Sequence, residues 1–134
     1  MTFKFSALPQ VEISWGEFFD RLSILEIKLE KISDPVKRNN IQASLNSLIR
    51  CGMTISDFPE NIQSLYLNLK NINSSLWDIE DGKRDCERRK DFSSEFVNLA
   101  RSVYINNDIR AQYKREIDLI LKSKLIEVKS HESY

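Results

Sequence analysis

The chain has 134 residues, room for one domain that hides roughly two-thirds of its unfolded surface without disulfide or metal staples. With 41% hydrophobic and 30% charged residues but only three Gly and three Pro, the composition favours helices over turns. Twenty Lys+Arg cancel twenty Asp+Glu, divided as 7 basic and 8 acidic in residues 1–67 and 13 and 12 in 68–134. A whole-surface nucleic-acid binder is therefore not expected.

Cys51 and Cys86 are the two cysteines and stand in no CxxC or Cys/His grouping, while the single His131 sits near the C-terminus. A Cys/His zinc site cannot be assembled from them, and no cofactor or metal is expected. The N-terminal segment holds no apolar run of signal-peptide length, and no stretch approaches the 18 or so apolar residues of a membrane span. The expectation is a cytoplasmic protein with reduced thiols, away from the membrane.

Residues 1–13 alternate weakly around Phe3, Phe5, Val11 and Ile13 and read as an extended arm. Ser14-Trp15-Gly16-Glu17 is a capping box, with Ile13 as its staple, and opens a first helix whose apolar stripe is Phe18, Leu22, Leu25, Leu29 and Ile32. Asp34-Pro35 ends it and starts a second helix with Ile41, Leu45, Leu48 and Ile49, closed by Gly52. From Pro59 a third helix of about thirty residues carries Ile62, Leu65, Leu69, Ile72, Leu76, Ile79 and Cys86 in three-four rhythm. Gly82 and Lys83 mark a place where it bends, breaks or is closely approached. Asp91 or Ser93 caps a fourth helix with Phe92, Phe96, Leu99 and Val103. Asn106-Asn107-Asp108 reads as a stop followed by a new N-cap, giving a fifth helix from about Asp108 to Lys122 with Ile109, Tyr113, Ile117, Ile120 and Leu121 on one face. The tail, residues 123–134, alternates from Leu125 to Val128 and can form a ribbon with the N-terminal arm. The expected fold is one all-α domain over 1–134, an antiparallel bundle of four to five helices. Its core is Phe18, Leu22, Leu25, Leu29, Leu45, Leu48, Leu65, Leu69, Ile72, Leu76, Ile79, Phe96, Leu99, Val103, Ile117 and Ile120. The third-helix seam is long enough to serve partly at a two-fold interface, which makes a homodimer an expectation.

Two polar concentrations are candidates for chemistry. In Trp77–Lys90, Glu80, Arg84 and Glu87 share one helix face and Asp78, Asp81 and Asp85 another, with Trp77 beside them for stacking. The bland alternative is a solvated face of i,i+4 ion pairs. Around the expected junction of the fourth and fifth helices, Arg101, Arg110, Lys114 and Arg115 gather four cations, and a helix start near Asp108 adds free amides. Phosphate or carboxylate recognition is the use such a set suggests, against the reading that Asp108 simply caps a helix. Glu26 and Glu30 are spaced to share a divalent cation, but the paired ExxE and ExxD motifs of helical NTP pyrophosphohydrolases are missing. Arg21, Arg38 and Arg50 approximate helical chorismate mutases, whose long first helix Pro35 interrupts.

ISWGEFFDRLSILEIK (13–28), LWDIED (76–81), LARSVYINNDIRAQYKREI (99–117) and EVKSHESY (127–134) together resemble a small bacterial and phage family known only as a domain of unknown function. Lys83 stands where that pattern has Ile, and Lys129-Ser130-His131 where it has Lys-Ser-Tyr. The resemblance covers nearly the whole chain and implies an association with surface-polysaccharide genes. Its matching polar positions are Glu26, Trp77, Glu80, Asp81, Arg101, Tyr104, Asn107, Asp108, Arg110, Lys114 and Arg115; with Arg84 they make up the candidate site. The functional expectation is an anionic small metabolite bound where the third helix meets the fourth–fifth junction, with a non-catalytic interaction or oligomerisation module as the alternative.

Overall fold

A computed structural model describes residues 8–50, 54–123, 128, 129 and 131. Four helices follow one another: α1 (Trp15–Lys31), α2 (Pro35–Ile49), α3 (Glu60–Arg89) and α4 (Ser94–Ile120), with a 3-10 turn at Ile55–Asp57 before α3. No strand occurs among the described residues. Gly52 as a helix stop falls outside them, as do residues 1–7 and 125–127 of the ribbon expected between the N-terminal arm and Leu125–Val128; residues 8–13 and Val128 are described and carry no strand.

Each helix end has a local cause. The Ser14 hydroxyl accepts the Glu17 amide and starts α1, but Glu17 turns away to Arg21 and Lys114, so only half of the capping box forms. Asp34 caps α2 through the Lys37 amide with Pro35 at the first position. The α3 helix runs unbroken through Gly82, where an added Cβ would sit 3.1 Å from a Leu99 methyl of α4. It ends on Lys90 at φ 55, a left-handed residue whose neighbour Asp91 donates its amide to the Cys86 carbonyl.

The expected fifth helix does not exist as a separate element, because α4 passes without interruption through Asn106-Asn107-Asp108. Asn and Asp cost a helix interior only about 0.7 kcal/mol each relative to Ala. Asn106 recovers part of this by donating to the Ser102 carbonyl at 2.7 Å, and the packing of α4 along α3, the most extensive contact in the fold, supplies the rest. The free amides expected near Asp108 disappear with the junction.

The core gathers at one end, where α1 crosses the start of α3 and the end of α4. Trp15, Phe18, Phe19, Phe58 and Tyr66 stack mostly edge to face, with ring centroids 5.0 to 6.0 Å apart. Ile62, Leu69 and Ile117 complete it, and Leu45 and Leu48 of α2 lean on its edge. Of the expected core, Phe18, Leu22, Leu69 and Ile117 are buried, whereas Ile120 is exposed and Leu25, Leu29, Leu65, Ile72, Leu76, Ile79, Phe96, Leu99 and Val103 are only partly covered. Phe19, Ile27, Phe58, Ile62 and Tyr66 are buried instead. The buried stripe of α1 includes Gly16, Asp20 and Ser23, so the helix is rotated away from its purely apolar face.

Candidate ligand cleft

Three helices are joined through Asp20, whose side chain is 2% exposed. Arg110 of α4 forks onto it, Nε to Oδ1 at 2.9 Å and Nη2 to Oδ2 at 2.5 Å. Asn73 of α3 donates to Asp20 Oδ1 at 2.9 Å and to the Ser23 hydroxyl at 2.8 Å, and that hydroxyl donates to the Asp20 carbonyl. Lys114, its side chain 8% exposed, donates to Glu17 at 2.8 Å and lies 3.9 Å from Asp20. Burial raises the Glu17 carboxyl, but hydrogen bonds from Lys114 and Arg21 outweigh it and hold the group below its ordinary range.

The start of α1 is stitched to α4 in the same way. The Gly16 amide donates to Asp118 Oδ1 at 2.6 Å and the Trp15 amide to Ser123 Oγ at 3.2 Å. A Cβ on Gly16 would stand 2.3 Å from the Lys114 carbonyl oxygen and 2.9 Å from Asp118 Oδ1, so glycine is required for this approach. The start of α1 is occupied by the protein's own Asp118.

Beside this hub opens a cleft of about 430 Å³ lined by Ile24 of α1, Asn73, Leu76, Trp77, Glu80, Asp81 and Arg84 of α3, and Arg110 of α4. Ile24 and Leu76 supply an apolar floor next to the Trp77 indole. Glu80 meets Lys83 at 3.3 Å, whereas Asp81 and Arg84 make no hydrogen bond or ion pair among the described residues. On α3, Trp77, Asp81 and Arg84 follow at steps of four and three, which places them along one face. Trp77 and Arg84 are then about 10 Å apart along the axis.

The structure thus brings together Trp77, Glu80, Asp81, Arg84 and Arg110 of the expected site. The four-cation cluster is not formed: Arg110 and Lys114 turn into α1, while Arg101 and Arg115 are exposed. A second recess of about 270 Å³ lies on the other side of Arg110, with Asn107, Lys114, Lys129 and His131 on its walls. Asp108 pairs with Lys129, and Tyr104 is exposed on the outer side of α4. Glu26 lies elsewhere, accepting the Tyr66 hydroxyl and Lys70, which also reaches Glu30 at 2.7 Å. Burial and the Glu26 carboxylate push the Tyr66 phenol upward; burial lowers the Lys70 ammonium, but Glu30 and Glu26 prevail and raise it. The two carboxylates spaced for a cation thus hold a lysine. Asp20, Ser23, Asn73 and Asp118 were not anticipated; the 16–20–23–27 spacing of small and polar residues is the signal that marked their face.

Among the described residues, no helix is long and apolar enough to cross a membrane and no group of three or more His, Cys, Asp or Glu could hold a metal ion. Compared with protein-family models, curated proteins and solved structures, the chain finds no match.

Proposed function

We propose that the protein binds a small anionic metabolite carrying a hydroxylated ring, a sugar phosphate or nucleotide, in the cleft between α1, α3 and α4. The observation that carries this reading is Arg84, a guanidinium with no partner among the described residues, two turns from the Trp77 indole over an apolar floor. A ring stacks on Trp77, Asp81 and Glu80 accept its hydroxyls, and Arg84 takes the phosphate or carboxylate at the far end. The rise of about 10 Å along α3 from Trp77 to Arg84 suits a ring with a charged group attached. Arg110 shapes the wall but is held by Asp20, so it orients rather than clamps. The reading takes the helices as an antiparallel bundle in the cytoplasm, and the resemblance to the bacterial and phage family supplies its surface-glycan setting.

Thermal-shift and calorimetric titration with inorganic phosphate, a hexose phosphate and a nucleoside diphosphate test it. The expected result is a rise in melting temperature with at least one ring-bearing ligand. Arg84→Ala should weaken binding about ten- to a hundredfold with the helical spectrum unchanged. No shift with any of the three at millimolar concentration would reject the reading.

A further inference from the structure

Asn73 stands in the wall of the cleft, one helical turn before Trp77 on α3, and is 6% exposed. Its side-chain nitrogen carries two hydrogens and both are spent, one on Asp20 Oδ1 at 2.9 Å and the other on the Ser23 hydroxyl at 2.8 Å. That hydroxyl donates its own hydrogen to the Asp20 carbonyl, so toward Asn73 it can only accept. The amide cannot flip, because an oxygen turned toward the Asp20 carboxylate would set two acceptors face to face.

The Asn73 amide oxygen is left over. It makes no hydrogen bond among the described residues, yet none of their fully buried side-chain N or O atoms lacks a partner. The oxygen therefore keeps an accessible surface, and the surface that Asn73 lines is the cleft. A side chain more than nine-tenths buried thus offers the cleft one acceptor and no donor.

The neighbouring polar groups are of the same kind. Glu80 and Asp81, the next turn past Trp77, are carboxylates that only accept, and Arg110, a donor on the wall, is forked onto Asp20. Arg84 is the donor at the far end. A nucleobase carries donors and acceptors side by side on its edge, and an acceptor turned to this wall would stay unpaired, which costs affinity. A pyranose carries hydroxyls, each able to turn its hydrogen to the nearest acceptor, and has an apolar C–H face to lie on the Trp77 indole.

Resting on the cleft as the ligand site, we propose that Asn73 sets its specificity: the amide oxygen, locked by Asp20 and Ser23, accepts a ring hydroxyl of a hexose phosphate that lies on Trp77 and extends its phosphate to Arg84. The hub that joins the helices thereby fixes the polarity of the cleft, and a hexose phosphate is preferred over a nucleotide.

Calorimetric titration of the full chain tests this with the phosphates of glucose, galactose and mannose and with adenosine diphosphate. Monodeoxyfluoro derivatives of the tightest hexose phosphate follow, since fluorine is close to a hydroxyl in size but has no hydrogen to donate. A hexose phosphate should bind about tenfold or more tighter than adenosine diphosphate. Fluorine at one ring position should weaken binding to wild type about tenfold, and to Asn73→Ala by less than about twofold. Asp20 keeps Arg110 in that variant, so the helical spectrum should be unchanged; Asn73→Ser, which removes the same oxygen but retains a hydroxyl, is the second variant. Tighter binding of adenosine diphosphate, fluorine without effect at every ring position, or an equal effect in wild type and variants would overturn the proposal and leave the cleft as a ligand site. Absence of binding by every one of these ligands would overturn both.

Discussion

The two ends of the α3–α4 pair are built from similar residues and hold together differently. At the base, where α1 crosses, Asp20, Asn73, Arg110, Lys114 and Asp118 are tied into a network that leaves no fully buried side-chain N or O without a hydrogen bond among the described residues. Toward the turn, Asp85, Arg88, Arg89, Lys90 and Glu95 form ion pairs with side chains 45 to 74% exposed. At the base Asp20, Lys114 and Asp118 have surrendered their water and depend on their partners; the charges of the outer end keep theirs. The lesson is that charge density in this sequence does not measure structural importance, whereas burial of the partner does.

The contrast breaks most readily at Asp20. Asp20→Ala leaves Arg110 and Asn73 without their shared acceptor and should cost about 3–5 kcal/mol, a large part of a stability of about 5–15 kcal/mol. Urea denaturation followed by circular dichroism at 222 nm measures it. Gly16→Ala comes next: the new methyl meets a backbone oxygen that cannot swing aside, so α1 must lift off α4 at about 1–3 kcal/mol.

The pH dependence sharpens the same comparison. The Glu17 carboxyl is depressed in the folded state, so its stabilisation is present above the unfolded value of about 4.3 and is lost as pH falls through the lower folded value. Stability should therefore drop as pH falls below about 4.3, and Glu17→Gln should flatten that limb while lowering stability at pH 7. At the outer end the expected effect is smaller and of opposite sign. Lys90 sits at φ 55, and Lys90→Gly should raise stability by up to about 1 kcal/mol, read as a higher urea midpoint.

Much of the fold was legible because it rests on local signals. Ser14, Asp34-Pro35 and Pro59 announce three helix starts, and the three-four rhythm of α3 survives Gly82. The joined fourth and fifth helices were not legible, since Asn106-Asn107-Asp108 has the chemistry of a cap and only contact with α3 overrides it. The core was displaced for a related reason. A search for the most apolar stripe of α1 finds Phe18, Leu22, Leu25 and Leu29, whereas the buried stripe contains Asp20 and Ser23, whose partners Asn73 and Arg110 lie 53 and 90 residues away. Trp77, Glu80, Asp81 and Arg84 were readable as neighbours because they share a helix. That Arg110 joins them while Arg101 does not depends on how α4 is rotated against α1.

Two double-mutant cycles, compared directly, test the account most closely. Asp20→Ala and Arg110→Ala, singly and together, should show a coupling of about 2–3 kcal/mol in urea denaturation, while Asp85→Ala and Arg89→Ala should couple by less than about 0.5 kcal/mol. A base pair that proves additive within 0.5 kcal/mol, or an outer pair coupled as strongly as the base, would contradict the claim that buried partnership, not charge density, holds these helices together.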